Sequence, residues 1–263
     1  MAIMETSTVQ VEHTDEISTL TISRPESLNA LNTDVLQGLI LEVEKLQNRS
    51  QLRVLVLKGA GSKAFVAGAD IHSMHQLGPR AIADYVELGQ RAMRAIECFE
   101  KPVVAAVDGY ALGGGLELAL AADLILASSK SKLGQPEVNL GIIPGFGGTQ
   151  RLLLRCGTGA ARRLVLSGDI ITAEEGFSLG LVDKVFSDEE FEDHLDKYIA
   201  TLCSKAPLAL QEAKRVLRES QQGQLLSGLR MEVEAFLKLF GTADREEGME
   251  AFLAKREPKF QGR

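Results

Sequence analysis

The segment Val103 to Leu120, VVAAVDGYALGGGLELAL, constrains the fold more than any other stretch. Its opening run, Val103 to Val107, is apolar at every position, and a strand without alternation is one covered on both faces, as in a parallel sheet between helices. The glycines Gly113, Gly114 and Gly115 follow and open an apolar helix read over Leu116 to Ala122. A second run of the same kind, Arg53 to Lys58 (RVLVLK), comes after a helix that Asn32 can cap and that reaches about Gln47. Val35, Leu39, Val43 and Leu46 share one face of that helix. Alternating segments at Val9–Glu12 and Ile17–Ser23, joined by Asp15-Glu16, read as strands before it. Strand, helix, strand in this order begins an α/β crossover. Pro79 to Phe99, with Ile82, Val86, Met93 and Ile96 at helical spacing, and the strand Leu124 to Ala127 continue the alternation, so the fold class is α/β.

Beyond Pro144 the pattern turns helical. Gly148–Arg155 and Gly159–Ser167 read as helices, Leu181–Phe186 as a strand, and Thr172-x-x-Glu175 and Ser187-x-x-Glu190 have capping-box spacing. Three amphipathic helices are predicted in the tail, over Pro207–Glu219, Leu225–Phe240 and Glu246–Lys255. The stripe Leu229, Val233, Phe236, Leu237 and Phe240 exceeds what a terminal helix needs, which predicts that the tail covers a neighbouring subunit as well as the core. Residues 1–200 are therefore read as a core carrying the active site, and 201–263 as a helical region for oligomerisation and active-site cover. A net charge of -7 disfavours a nucleic-acid partner. No run approaches the ~18 apolar residues of a membrane span, and Met1 to Glu16 lacks the basic-then-apolar layout of a secretory signal, so a cytoplasmic setting is expected. The three cysteines Cys98, Cys156 and Cys203 have neither disulfide-framework nor metal-ligand spacing, and Cys98 and Cys203 read as inert thiols.

Two features carry chemistry. The glycine triplet presents free N–H groups at a helix N-terminus, suited to a developing negative charge, or it is a tight turn that lets a helix pack closely on a strand. No Lys-Ser/Thr pair follows it, as a phosphate loop requires. The dinucleotide fingerprint fails too, because counting from Gly113 and Gly115 its third glycine position is Leu118. The second feature is glutamate in apolar company: Glu117 between Leu116 and Leu118, and Glu137 in a Gln-Pro-Glu turn before Val138. Desolvation raises a carboxyl pKa toward the range useful for proton transfer at neutral pH. The alternatives are a carboxylate serving the helix dipole at Glu117 and a solvated turn residue at Glu137. His72 and His75 stand at i, i+3 spacing, but no third ligand accompanies them, so no metal site is expected.

Ala64–Asp70 (AFVAGAD), Ala111–Leu120 (ALGGGLELAL) and Gly134–Leu152 (GQPEVNLGIIPGFGGTQRL), in that order, resemble the enoyl-CoA hydratase/isomerase (crotonase) family, and the likeness extends over nearly the whole chain. The resemblance implies a crotonase-type β/α spiral core with two roughly perpendicular sheets and a C-terminal helical trimerisation region. It implies a coenzyme A thioester as substrate, a homo-oligomer (a trimer or dimer of trimers), and no metal or separate cofactor. It assigns the backbone N–H groups of Ala69 and Gly114 to an oxyanion hole, and substrate binding to Ala67, Gly68, Asp70, Ile71 and His72, those from Asp70 to His72 through their backbone. Glu117 and Glu137 match the two glutamates of the hydratase members, with Glu117 activating water and Glu137 delivering the α-proton. The activity implied is reversible syn-hydration of a trans-2-enoyl-CoA to a 3-hydroxyacyl-CoA. The alternatives are 3-enoyl/2-enoyl isomerisation, or a non-catalytic acyl-CoA or RNA-binding member of the fold. Met74, Leu77, Tyr85 and Phe146 are candidates for the acyl pocket floor, and Lys63, Lys101, Lys259 and Arg263 for the adenosine phosphates.

Overall fold

A computed structural model describes residues 8–261. Its strands are β1 (Val9–His13), β2 (Ile17–Ile22), β3 (Val54–Gly59), β4 (Ala64–Val66), β5 (Val103–Val107), β6 (Tyr110–Leu112), β7 (Leu124–Ser128), β8 (Lys132–Gly134), β9 (Ile170–Thr172) and β10 (Lys184–Phe186). They form one sheet in the order β1-β2-β3-β5-β7-β10 and a smaller one in the order β4-β6-β8-β9. The first is parallel except at β1–β2, the second parallel except at β8–β9. The helices are α1 (Thr33–Gln47), α2 (Ile71–His75), α3 (Pro79–Glu97), α4 (Gly114–Ala121), α5 (Gly148–Ser167), α6 (Ala173–Ser178), α7 (Phe191–Cys203), α8 (Pro207–Phe240) and α9 (Ala243–Leu253).

The unbroken apolar strands are explained by their two faces. Leu55, Leu57, Val103, Ala105, Val107, Ile125 and Ala127 join the main core, with residues of α1 and α3. The intervening Val54, Val56, Val104, Ala106 and Leu126 meet Phe191, Leu195 and Ile199 of α7 in a second cluster. Period-two geometry sends alternate residues to opposite faces, and both faces here are dry.

Asn32 caps α1 as read, accepting a hydrogen bond from Val35 N at 3.0 Å. Gly157, at φ 73° and ψ 173°, breaks α5, so the expected pair of helices is present as two pieces of one element. Thr172 caps α6 through Glu175 N at 3.2 Å. Ser187 does not cap a helix: its hydroxyl meets the Glu190 carboxylate at 3.2 Å, and α7 starts after Glu190 with no side-chain cap. The strand read over Leu181–Phe186 is confined to β10, because the Leu181 and Val182 N–H groups are spent on the Gly176 carbonyl closing α6. The first two tail helices are one continuous 34-residue helix, α8. The helix α7 runs across residue 200, so the core and the helical region share an element at that boundary. The apolar stripe of α8 goes to the chain's own interior. Leu229, Phe236 and Phe240 are buried, and Val233 and Leu237, partly buried, pack on the main core, so the tail covers the core as expected.

Candidate active site

The small sheet, α2, α4, α8 and α9 enclose an apolar cavity of about 410 Å³. Ala67, Gly68, Ala69, Gly113, Gly114, Glu117 and Glu137 all line it. Leu31 forms a parallel bridge with Ala69, donating to Gly68 O and accepting from Asp70 N, each at 2.9 Å. That pairing uses the groups flanking Ala69 and leaves its own N–H pointing the other way. Gly114 opens α4, where a first-turn N–H has no partner within the helix. Among the described residues neither N–H has an acceptor. They are neighbours, for a Cβ on Gly114 would stand 3.3 Å from Ala69 N and 3.2 Å from the Phe146 ring.

Each glycine of the triplet answers a different demand. Gly113 has φ 49°, a left-handed conformation, and its missing Cβ would lie 2.9 Å from Glu137 Oε1. Gly114 leaves the space between the two N–H groups open. A Cβ on Gly115 would lie 1.9 Å from Val66 O, so β4 and α4 pack too closely for a side chain there. Close packing therefore accounts for Gly115, while Gly114, next to it, keeps an N–H without an acceptor among the described residues.

The carboxyls are buried: Glu117 is 2% and Glu137 8% exposed. Glu117 Oε1 accepts from Phe146 N at 2.8 Å and Gly148 N at 2.7 Å. Burial holds Glu117 well above the ordinary carboxylate range, the charges of Glu232 and Glu137 add to this, and the two N–H donors oppose it. Glu137 sits in the 3-10 turn Pro136–Leu140. With its nitrogen turned to the carboxyl, the Gln135 amide donates to both Glu137 oxygens, at 2.8 and 3.0 Å. Burial pushes Glu137 up to about 8, against a hydrogen bond from its own backbone, and the charge of Glu232 contributes. The solvated-turn reading of Glu137 fails, because the group is buried, whereas Glu117 stands in the first turn of α4 and also accepts an N–H at the start of α5.

Of the expected substrate-contact residues, Ala67, Gly68 and Ile71 line the cavity, whereas Asp70 and His72 do not. The Asp70 carboxylate caps α2 through Ser73 N at 3.1 Å and pairs with Arg24 at 3.0 Å, and the His72 side chain is exposed, so only the backbone of these two residues is available for the contacts expected of them. Met74, Tyr85 and Phe146 form part of the wall; Leu77 packs on the core instead. Lys101 is buried and donates to Gln47 O at 3.0 Å, which removes it as a phosphate contact. Lys63 and Lys259 are exposed, and Arg263 lies outside the described residues. No cluster of metal-ligating side chains occurs among the described residues. Reading by sequence missed Gln135, Phe236, Phe252 and Glu232. A signal existed for Glu232, which sits three residues after Leu229 and four before Phe236, inside the apolar stripe.

The family described as Enoyl-CoA hydratase/isomerase matches residues 12–263. A protein named crotonyl-CoA hydratase from Syntrophomonas wolfei is 43% identical over 250 residues, 95% of this chain and 96% of its own. A short-chain-enoyl-CoA hydratase from Clostridium acetobutylicum is 40% identical over 253 residues, 96% of this chain and 97% of its own. Among solved structures, an enoyl-CoA hydratase from Mycobacterium avium subsp. paratuberculosis superposes with a TM-score of 0.88 at 30% identity, covering 97% of this chain and 98% of that one. With sequence, fold and cavity in agreement, the chain belongs to the enoyl-CoA hydratase/isomerase family.

Proposed function

We infer that the protein is an enoyl-CoA hydratase, adding water reversibly and with syn stereochemistry to a trans-2-enoyl-CoA to give a 3-hydroxyacyl-CoA. The observation that carries this reading is that two buried carboxyls, Glu117 and Glu137, line the same cavity as the unengaged N–H groups of Ala69 and Gly114. The hydratase names of relatives 40–43% identical over nearly the full chain support it.

The chemistry follows from the hydrogen bonds. The thioester oxygen accepts from Ala69 N–H and Gly114 N–H, and negative charge grows there as the alkene is attacked. Removing one such donor costs about 2.7–4 kcal/mol in other enzymes. Glu117 Oε1 is already engaged by two N–H donors, so Oε2 is the oxygen free to take a proton from water as its oxygen bonds to Cβ. Burial and mutual repulsion leave the pair sharing a proton; in the reactive form Glu117 is ionised and Glu137 holds the proton, which it gives to Cα as the enolate collapses. The result is a protonated Glu117 and an ionised Glu137, and transfer of one proton between them restores the starting state. The two titrate as a pair.

The reaction drawn uses the substrate, water and these groups, with coenzyme A as part of the substrate. The apolar wall formed by Met74, Tyr85, Phe146 and Phe236 suits a short unbranched acyl chain. The same reading carries a cytoplasmic setting and a homo-oligomer, a trimer or dimer of trimers. No helix among the described residues is long and apolar enough to cross a membrane.

Turnover in heavy-oxygen water tests the activity. A 2-enoyl-CoA is expected to yield 3-hydroxyacyl-CoA carrying one labelled oxygen. Interconversion of 3-enoyl and 2-enoyl thioesters without hydration would instead make the protein an isomerase.

A further inference from the structure

Glu232 takes no part in that chemistry, yet it is as buried as Glu117, at 2% exposure, and it enters from a different region of the chain, α8. Its Oε1 accepts from Gly147 N at 2.6 Å and from the Gln90 amide at 3.4 Å. Its Oε2 accepts from Thr149 N at 3.1 Å and from the Thr149 hydroxyl. These bonds interleave with those of Glu117. Along Phe146-Gly147-Gly148-Thr149, the first and third N–H groups point to Glu117 and the second and fourth to Glu232. One turn at the start of α5 is thus clamped between two carboxyls, one from α4 and one from α8.

We propose that Glu232 is a positioning residue: by holding Gly147 and Thr149 from the α8 side, it fixes the Phe146 and Gly148 donors that orient the Glu117 carboxylate. The proposal rests on the reading of Glu117 as the group that activates water.

Several features support it. A helix N-terminus leaves its first N–H groups without partners, and here nearly every one of them is spent on a buried carboxyl. Gln90 of α3 ties the arrangement further, donating to Gly145 O at 3.1 Å and Leu229 O at 3.3 Å as well as to Glu232. The charged groups facing Glu232 are Glu117 of α4, Glu137 of the 3-10 turn and Arg151 of α5. Arg151 is itself engaged by Glu97 at 3.1 Å and by Phe146 O at 2.9 Å. Burial pushes Glu232 up to about 7, opposed by the Thr149 and Gly147 bonds and by Arg151. Its negative charge in turn raises the pKa of both Glu117 and Glu137.

The Glu232→Gln variant separates positioning from mere packing. The amide keeps the shape but sets one NH₂ against backbone N–H donors and removes the charge. We expect kcat to fall about tenfold or more while KM stays within about threefold, since ground-state binding is untouched. The acidic limb of the kcat profile should move to lower pH, because Glu117 loses a negative neighbour. Wild-type kcat with an unmoved limb would overturn the proposal, as would a loss matching the folded fraction with the limb in place. Amide hydrogen exchange gives a readout that needs no substrate. The 146–149 peptide should exchange about tenfold faster in the variant, and unchanged exchange would sink the proposal even if the protein hydrates no enoyl thioester. Should Glu232→Gln fail to fold, Thr149→Val removes a single donor. It should shift exchange and kcat in the same direction by about twofold or more, and no shift would count against the clamp.

Discussion

At the scale of single residues, the site is built from side chains placed where their ordinary chemistry is disfavoured. Glu137 is the clearest case, with a folded-state pKa of about 8 against 4.5 for the exposed group. Between those values the folded state binds more protons than the unfolded chain, so stability falls as pH rises through that window. The Glu137→Gln variant, neutral at all pH, should therefore melt at a higher temperature than wild type at pH 8.5–9 and match it below about pH 4, where both states hold the proton. Melting curves at the two ends check this, and a difference independent of pH would contradict the burial of an ionisable group. Glu117 drew notice in the sequence as a carboxyl between leucines and Glu137 by its Gln-Pro-Glu turn, and the family resemblance joined the two. Asp70 shows the reverse. It lies within the recognised motif, yet its carboxylate is used locally, on Ser73 N and Arg24. Sequence proximity to Ala69 did not reveal which way the next side chain turns. Gln135 was hidden because nothing local distinguishes a buried amide that serves Glu137 from a turn residue.

At the scale of elements, legibility followed periodicity. The helices α1 and α3 were read nearly to the residue from four stripe positions each, and the strands β3, β5 and β7 from unbroken apolar runs. The strands β4, β6, β8 and β9 have three residues apiece, too few to show a period, and they make up the whole second sheet. The helix α7 was foreshadowed only by a capping pattern that turned out not to cap it, yet it seals one face of the large sheet through Phe191, Leu195 and Ile199. Leu195 is 1% exposed and lines no part of the cavity. Replacing it with alanine should cost about 2–5 kcal/mol, through lost burial and the space left behind. Activity per folded molecule should be unchanged. Urea unfolding alongside a turnover assay measures both, and a loss of kcat at full folding would mean that this second cluster shapes the site.

At the scale of the whole molecule, the two sheets divide the labour. The large sheet supplies the doubly covered core, and the small one brings the Ala69 N–H, α4 and the Glu137 turn to one cavity. The tail finishes the enclosure, with Phe236 of α8 and Phe252 beside α2 and the Glu137 turn. Active-site cover was expected of residues 201–263; the parts played by Phe236 and Phe252 were not legible, because a stripe on a helix does not show which of its residues reach the cavity. The central claim is that Glu117 and Glu137 divide one proton transfer each on opposite sides of the added water. The decisive measurement is kcat for crotonyl-CoA hydration by wild type, Glu117→Gln and Glu137→Gln, with folding checked by circular dichroism. Each substitution should lower kcat by about 10²–10⁴-fold while leaving the fold intact. A folded variant of either kind turning over at the wild-type rate would contradict the account.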